Sequence, residues 1–190
     1  TSLDWKYQQQ AEKSVMIGLK EVDKRQGYSG ALGYLESIEE KEAFFTNQRE
    51  MKFKEVEPYQ SLNIDGEMIS KYSFETVEES EEAYHSLLAS GDVLEAIVEK
   101  IDDENKIITA LVSNNIRVKI GIDEFKWARK RVIHRKPLHR PLVQTPSEIL
   151  KPGDLILVNL IKKTSKDNEM IFKAGLDQKN FEDSIRDTVA

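Results

Sequence analysis

Residues 92–120 read DVLEAIVEKIDDENKIITALVSNNIRVKI, and the spacing of their apolar side chains sets the fold class. In IRVKI, Ile116, Val118 and Ile120 alternate with Arg117 and Lys119. That is the two-residue period of a strand with one dry and one wet face. Upstream, DVLEAIVEKI places Leu94, Ala96 and Val98 on one face of a first strand, and NKIITALVS makes a second. DDEN reads as the turn between them, and Asn114–Asn115 tolerates the positive φ of a tight hairpin.

Downstream, DEFKWAR reads as a short helix or turn. TPSEIL opens with Thr145 as N-cap, Pro146 at N1 and Glu148 at N3, which predicts a helical turn. KPGD is a Pro–Gly turn, LILVNLI a buried strand, KKTSKDN a loop and EMIFKA a fifth strand. The order β-β-β-helix-β-β predicts an α+β chain whose main body, residues 91–176, is a five-stranded OB-fold barrel. Closure would remove exposed sheet edges.

Before the barrel, residues 6–26 predict a helix. Tyr7, Ala11, Val15, Leu19 and Val22 fall at steps of three and four, Lys24 and Arg25 suit its carboxyl end, and Gly27 is a natural stop. GYSGALGYL then makes a turn-rich joint. Residues 36–57 carry helical charge alternation with a poor apolar stripe and are expected to be helical. Asp65–Gly66 has hairpin chemistry. Thr76 and Glu79 form a capping box for a helix carrying Val77, Ala83, Tyr84, Leu87 and Leu88, stopped by Gly91. The expected organisation is a leading helix and turn over 1–30, a helical or irregular insert over 31–90, the barrel over 91–176 and a polar tail over 177–190.

The composition, 39% hydrophobic and 33% charged, reads as soluble and globular. The absence of cysteine excludes disulfides and thiolate zinc sites. Catalytic patterns are missing. His134 and His139 lie among positive charges that would repel a metal ion, and His85 reads as a helix-flank residue. Glu78, Glu79, Glu81 and Glu82 read as a solvated helix face, because carboxylates on one helix cannot face each other across a substrate. Neither glycine-rich phosphate loop occurs, and the S-x-x-K, S-x-N and K-T-G set of penicillin-recognising enzymes has only near-misses at Ser147–Lys151 and Lys163–Ser165. No cofactor is expected.

Three separated motifs resemble one family. TSLDWKYQQQAEKSVMIGL is similar to the T-T-[IL]-D-x-x-L-Q-x-x-A-E-x-x-V-x-x-G-L stretch of bifunctional class A penicillin-binding proteins, through Thr1, Leu3, Asp4, Gln8, Ala11, Glu12, Val15, Gly18 and Leu19. VDKRQGYSGA resembles D-x-R-x-G-Y-R-G-P through Asp23, Arg25, Gly27, Tyr28 and Gly30, with Ser29 and Ala31 departing. FKWAR and ILKPGDLILV resemble W-A-R and L-x-x-G-D-x-[IV]-x-V through Trp127, Ala128, Arg129, Leu150, Gly153 and Asp154. Leu176 and Gln178 resemble L-x-Q-x-P, with Asn180 in place of proline. Residues 36–90 depart from the family.

The resemblance implies a non-catalytic OB-like domain set between the two catalytic regions of a peptidoglycan glycosyltransferase/transpeptidase, on the periplasmic side of a bacterial inner membrane. Its implied partner is an outer-membrane lipoprotein activator or the parent's own catalytic domains, with no nucleic acid and no membrane contact from this part. The docking candidates come from the basic stretch KWARKRVIHRKPLHRP, 126–141, with seven Lys/Arg on a chain of net charge −6. They are Trp127, Arg129, Lys130, Arg131, Arg135, Lys136 and Arg140. Prolines 137, 141 and 146 stiffen this arm. A solvated connection and a single-stranded nucleic-acid grip are the alternatives. The second lacks a stacking platform, since Phe172 is the only strand aromatic. A passive spacer is the remaining alternative for the domain as a whole.

Overall fold

The computed structural model describes residues 5–56, 60–62, 68–70, 81–130, 141–166 and 169–178. Its elements are α1 (Trp5–Gln26), β1 (Gly33–Tyr34), α2 (Ile38–Val56), β2 (Gln60–Leu62), β3 (Met68–Ser70), α3 (Glu81–Leu87), β4 (Val93–Asp102), β5 (Ile107–Ser113), β6 (Ile116–Gly121), α4 (Ile122–Phe125), a 3-10 turn (Pro146–Glu148), β7 (Asp154–Lys166) and β8 (Glu169–Asp177).

Strands β4 to β8 close into a barrel. β4–β5 and β5–β6 are antiparallel neighbours, β6 lies parallel to β8, and β8 pairs antiparallel with β7. β7 in turn pairs antiparallel with β4 and completes the ring. This is the α+β, five-stranded OB-type barrel expected from the sequence. Val98, Ile108, Val118, Ile120, Ile156, Val158, Phe172 and Leu176 are buried at its centre. Register shifts at Val98/Lys100, Leu111/Ser113 and Leu160/Lys162 let strands bend around so small a cylinder.

Both ends are covered. The Ser113 hydroxyl, just before β6, donates to Glu81 of α3 at 2.6 Å, and α3 buries Tyr84 against the core with Leu88 just beyond it. Past the other end of β6, α4 buries Phe125, joined in the core by Val143 and Leu150. The 3-10 turn starts at the capping box read from the sequence: the Glu148 carboxylate accepts from the Thr145 backbone N–H at 2.9 Å.

Several local expectations change. β7 extends through Lys166, so Lys162–Lys166 of the expected loop are strand, each paired with a β8 residue. The ladder with β8 holds this polar segment extended without an apolar alternation to announce it. The Asn114–Asn115 turn forms without positive φ, and Lys106, with φ 56°, takes the left-handed position in the preceding turn. α3 ends at Leu87, before Gly91, because the Gly91 N–H donates to the Leu160 carbonyl at 2.7 Å and draws the chain onto the sheet. Thr76, Val77, Glu78 and Glu79 lie outside the described residues. Glu81 is not on a solvated face: its side chain is 14% exposed and accepts from Arg49 at 3.0 Å as well as from Ser113. An Arg on the neighbouring helix and a strand-end hydroxyl draw it inward.

α2 forms where charge alternation predicted it. Its start is fixed by a reciprocal cap, the Glu40 N–H donating to Ser37 Oγ at 3.1 Å and the Ser37 N–H to Glu40 Oε2 at 3.3 Å. β2 and β3 pair antiparallel, Leu62 opposite Met68, as a hairpin requires. Asp65–Gly66 itself lies outside the described residues. α1 is the expected helix, and Gly27 terminates it with φ 106°. No residue of α1 is buried.

Candidate functional site

Described residues from three of the stretches that carry the family resemblance meet at one junction. There the end of α1, the segment after α4 and the end of β8 meet. The Tyr28 N–H donates to the Arg129 carbonyl at 2.8 Å, and Tyr28 forms a parallel bridge with Lys130. The Tyr28 ring stands edge-on to Trp127, centroids 6.0 Å apart at 87°. Trp127 is held by its indole N–H, which donates to the Glu124 carbonyl at 3.0 Å, and the Lys24 ammonium sits 5.1 Å from its ring centroid. Arg129 Nη2 donates to the Arg25 carbonyl at 3.2 Å, on the last turn of α1.

Gln178 is the tie to the outgoing strand. Its Oε1 accepts from the Ser29 N–H at 3.1 Å and its Nε2 donates to the Asp23 carboxylate. Beside it Asp177, almost fully buried, accepts from the Gln178 N–H at 2.9 Å and faces Lys20 at 3.6 Å. Burial, reinforced by the Asp154 charge, pushes the Tyr28 phenol above its ordinary range. Tyr28 therefore stays neutral at physiological pH and acts as an apolar wedge with a polar tip.

From Tyr28 the chain runs onto the barrel wall. The Leu32 N–H donates to Leu155 O at 2.8 Å, and the Leu35 N–H to Gly153 O at 3.0 Å, so β1 pairs with the start of β7. Gly153 is required twice over. Its φ is 92°, and a Cβ there would lie 2.6 Å from Tyr34 Cε2. Tyr34 also receives the Lys151 ammonium, 4.3 Å from its centroid.

Of the docking candidates, Trp127, Arg129 and Lys130 belong to this junction, where Trp127 and Arg129 make contacts within the chain. Arg131, Arg135, Lys136 and Arg140 lie outside the described residues. Sequence reasoning used Asp23, Tyr28 and Gln178 to establish kinship without seeing that they touch. Ser29, a departure from the family's arginine, contributes chiefly its backbone N–H, which any residue except proline supplies.

The chemistry at the junction is structural. His85, on α3, packs edge-on to Phe172 at 5.1 Å, and burial with the nearby Lys163 charge lowers its pKa. Its buried Nε2 has no hydrogen-bond partner among the described residues. Phe172 is 1% exposed and offers no stacking face. Between α2 and the barrel, Phe44, Gln48 and Met51 face Val93, Glu95 and Leu157 across a groove of about 380 Å³, spanned by Gln48 Nε2 donating to the Glu95 carbonyl at 2.9 Å. Among the described residues no set of three His, Cys, Asp or Glu could hold a metal ion, and no helix is long and apolar enough to cross a membrane.

A family model described as a penicillin-binding protein OB-like domain matches residues 63–178. No curated protein sequence matches the chain. Among solved structures it is similar to the solution structure of GSP13 from Bacillus subtilis, at 12% identity over 47% of this chain and 55% of that one, TM-score 0.33. It is also similar to a chain in the crystal structure of the a/eIF2alpha–aDim2p–rRNA complex from Pyrococcus horikoshii OT3, at 12% identity over 54% of each chain, TM-score 0.37. The chain thus spans just over half the length of these two, and their similarity is too distant to bear on function.

Proposed function

We propose a role from one premise: this chain belongs to the penicillin-binding protein OB-like domain family. It serves as a non-catalytic docking module within a longer cell-wall synthase of class A type, on the periplasmic face of the inner membrane. There it receives an activator protein or a neighbouring domain. The observation that carries this reading is the Gln178 tie. One side chain holds both Ser29 and Asp23, so the chain enters and leaves the barrel at one corner. Such a corner suits a domain set into a longer polypeptide, since the flanking segments meet as though the barrel were absent.

The same geometry supplies the test. In the full-length synthase, residues 31–177 are replaced by a short Gly/Ser linker, which the closeness of Ser29 to Gln178 permits. Docking requires that basal glycan polymerisation and cross-linking persist while stimulation by the activator disappears. Collapse of basal activity would instead mark the barrel as a spacer that sets catalytic geometry. In the intact chain, Arg131→Glu, Arg135→Glu and Arg140→Glu together should abolish activator capture at unchanged melting temperature. Capture that survives this triple change removes the basic arm from the docking surface.

A further inference from the structure

The barrel's outer wall carries a charge arrangement that folding does not need. Lys100 on β4 is in register with Thr109 on β5, Thr109 with Lys119 on β6, Lys119 with Lys173 on β8, and Lys173 with Lys162 on β7. One transverse row thus crosses all five strands, and its four lysines are exposed. Lys119, Lys173 and Lys162 stand on consecutive strands, about 5 Å apart. That is well inside the screening length at physiological salt, and like charges directly opposite destabilise a sheet.

Among the described residues the fold offsets this at Lys173, whose ammonium lies 3.1 Å from the Glu124 carboxylate and also acts on the Asp123 charge. Lys119 and Lys162 make no ion pair among the described residues. Their neighbour Arg117 is neutralised by Glu99 at 2.9 Å. A chain with a net charge of −6 has carboxylates to spare, yet among the described residues none pairs with these two lysines.

We propose that the Lys119–Lys173–Lys162 row is the contact for an acidic protein segment, an extended stretch with carboxylates at alternate positions laid across β6, β8 and β7. The inference deepens the docking reading and rests on it, adding a second contact on the barrel wall to the one proposed at the basic arm. Alternate residues of an extended segment project to one side about 6.6 Å apart, a spacing that flexible lysine stems can meet. Nucleic acid is disfavoured because no aromatic among the described residues stands beside the row and Phe172 is buried. An anionic bilayer is disfavoured because the rest of this net-negative chain would be repelled from so broad a surface.

The probe is a fluorescein-labelled peptide of about twelve residues with Glu at every second position, titrated by anisotropy into the 190-residue chain. Saturable, salt-sensitive binding is expected. It should weaken about tenfold or more in the variant carrying Lys119→Glu and Lys162→Glu, and stay unchanged in the arm triple variant. A Lys119→Gln, Lys162→Gln variant guards against misfolding, because it should also lose binding while melting no lower than the parent chain. The proposal is overturned if the row variants bind the peptide like the parent chain. It is equally overturned if a single-stranded oligonucleotide or phosphatidylglycerol vesicles bind the row more tightly than the peptide does. Full-length stimulation that survives row reversal rejects the row alone, whereas stimulation that survives excision of 31–177 rejects the docking reading itself.

Discussion

The barrel and the leading helix α1 both carry regular apolar spacing, and they end in opposite environments. Ile116, Val118 and Ile120 are fully buried, whereas Tyr7, Val15 and Leu19 are 73%, 59% and 52% exposed. The difference lies in what each face meets. Every barrel strand finds two neighbours on the same chain, so its inward residues converge on one core. α1 touches the body through its last turns, by Lys20, Asp23, Lys24 and Arg25. Periodicity therefore reports that a face is built to be covered, not that its cover belongs to the same fold.

The largest contrast should come from truncation. Phe172→Ala empties the barrel centre and should cost about 3–5 kcal/mol in denaturant melts. Leu19→Ala on α1 should change stability by no more than about 0.5 kcal/mol. Equal costs would show that α1 is packed in solution.

This contrast also explains what was legible in the sequence. β5 and β6 announce themselves because one face of each is buried, so alternation is enforced residue by residue, whereas β4 and β8 show as short apolar runs that bury consecutive residues. The extension of β7 through Lys162–Lys166 is not legible, since its partner strand and the register shift at Leu160/Lys162 hold it. α2 lacked an apolar stripe, and its clearest unused signal was the Ser37–Glu40 cap. The junction was visible as kinship but not as contact, because Asp23, Ser29, Arg129 and Gln178 join through backbone groups and one amide across large sequence separations. Glu81 was misread because a carboxylate on a charged helix gives no sign that Arg49 and Ser113 will approach it.

Smaller effects refine the boundary between the two regions. Gly153→Ala should destabilise by about 1–3 kcal/mol through the positive φ alone. A Tyr34→Ala background should recover only the part due to the ring clash, which a double-mutant cycle in urea would measure. Gln178→Ala should cost about 1–2 kcal/mol and speed amide exchange at Ser29, while leaving β5 and β6 untouched. Rapid exchange spreading through the barrel would mean the tie holds the core as well as the corner.

The smallest effect is electrostatic. The Arg117 guanidinium hydrogen-bonds Glu99 and holds its carboxyl below the usual range. Because the folded-state value is depressed, this stabilisation is present above the unfolded-state value. It is lost as pH falls through the folded-state value. Arg117→Gln should therefore lower stability by a few tenths of a kcal/mol at pH about 7, given the exposure of the pair. The difference should vanish once acidification passes below the depressed folded-state value.

Residue-resolved amide hydrogen exchange on the 190-residue chain decides between a closed barrel with a solvated leading helix and any other arrangement. Val118 and Ile120 on β6, with Phe172 and Ala174 on β8, should exchange only through global unfolding, because the parallel β6–β8 pairing leaves neither strand an open edge. Amides of α1 before Lys20 should exchange orders of magnitude faster. Fast exchange along β6 and β8, or protection of α1 equal to theirs, would contradict the closed barrel and the division of the chain drawn from it.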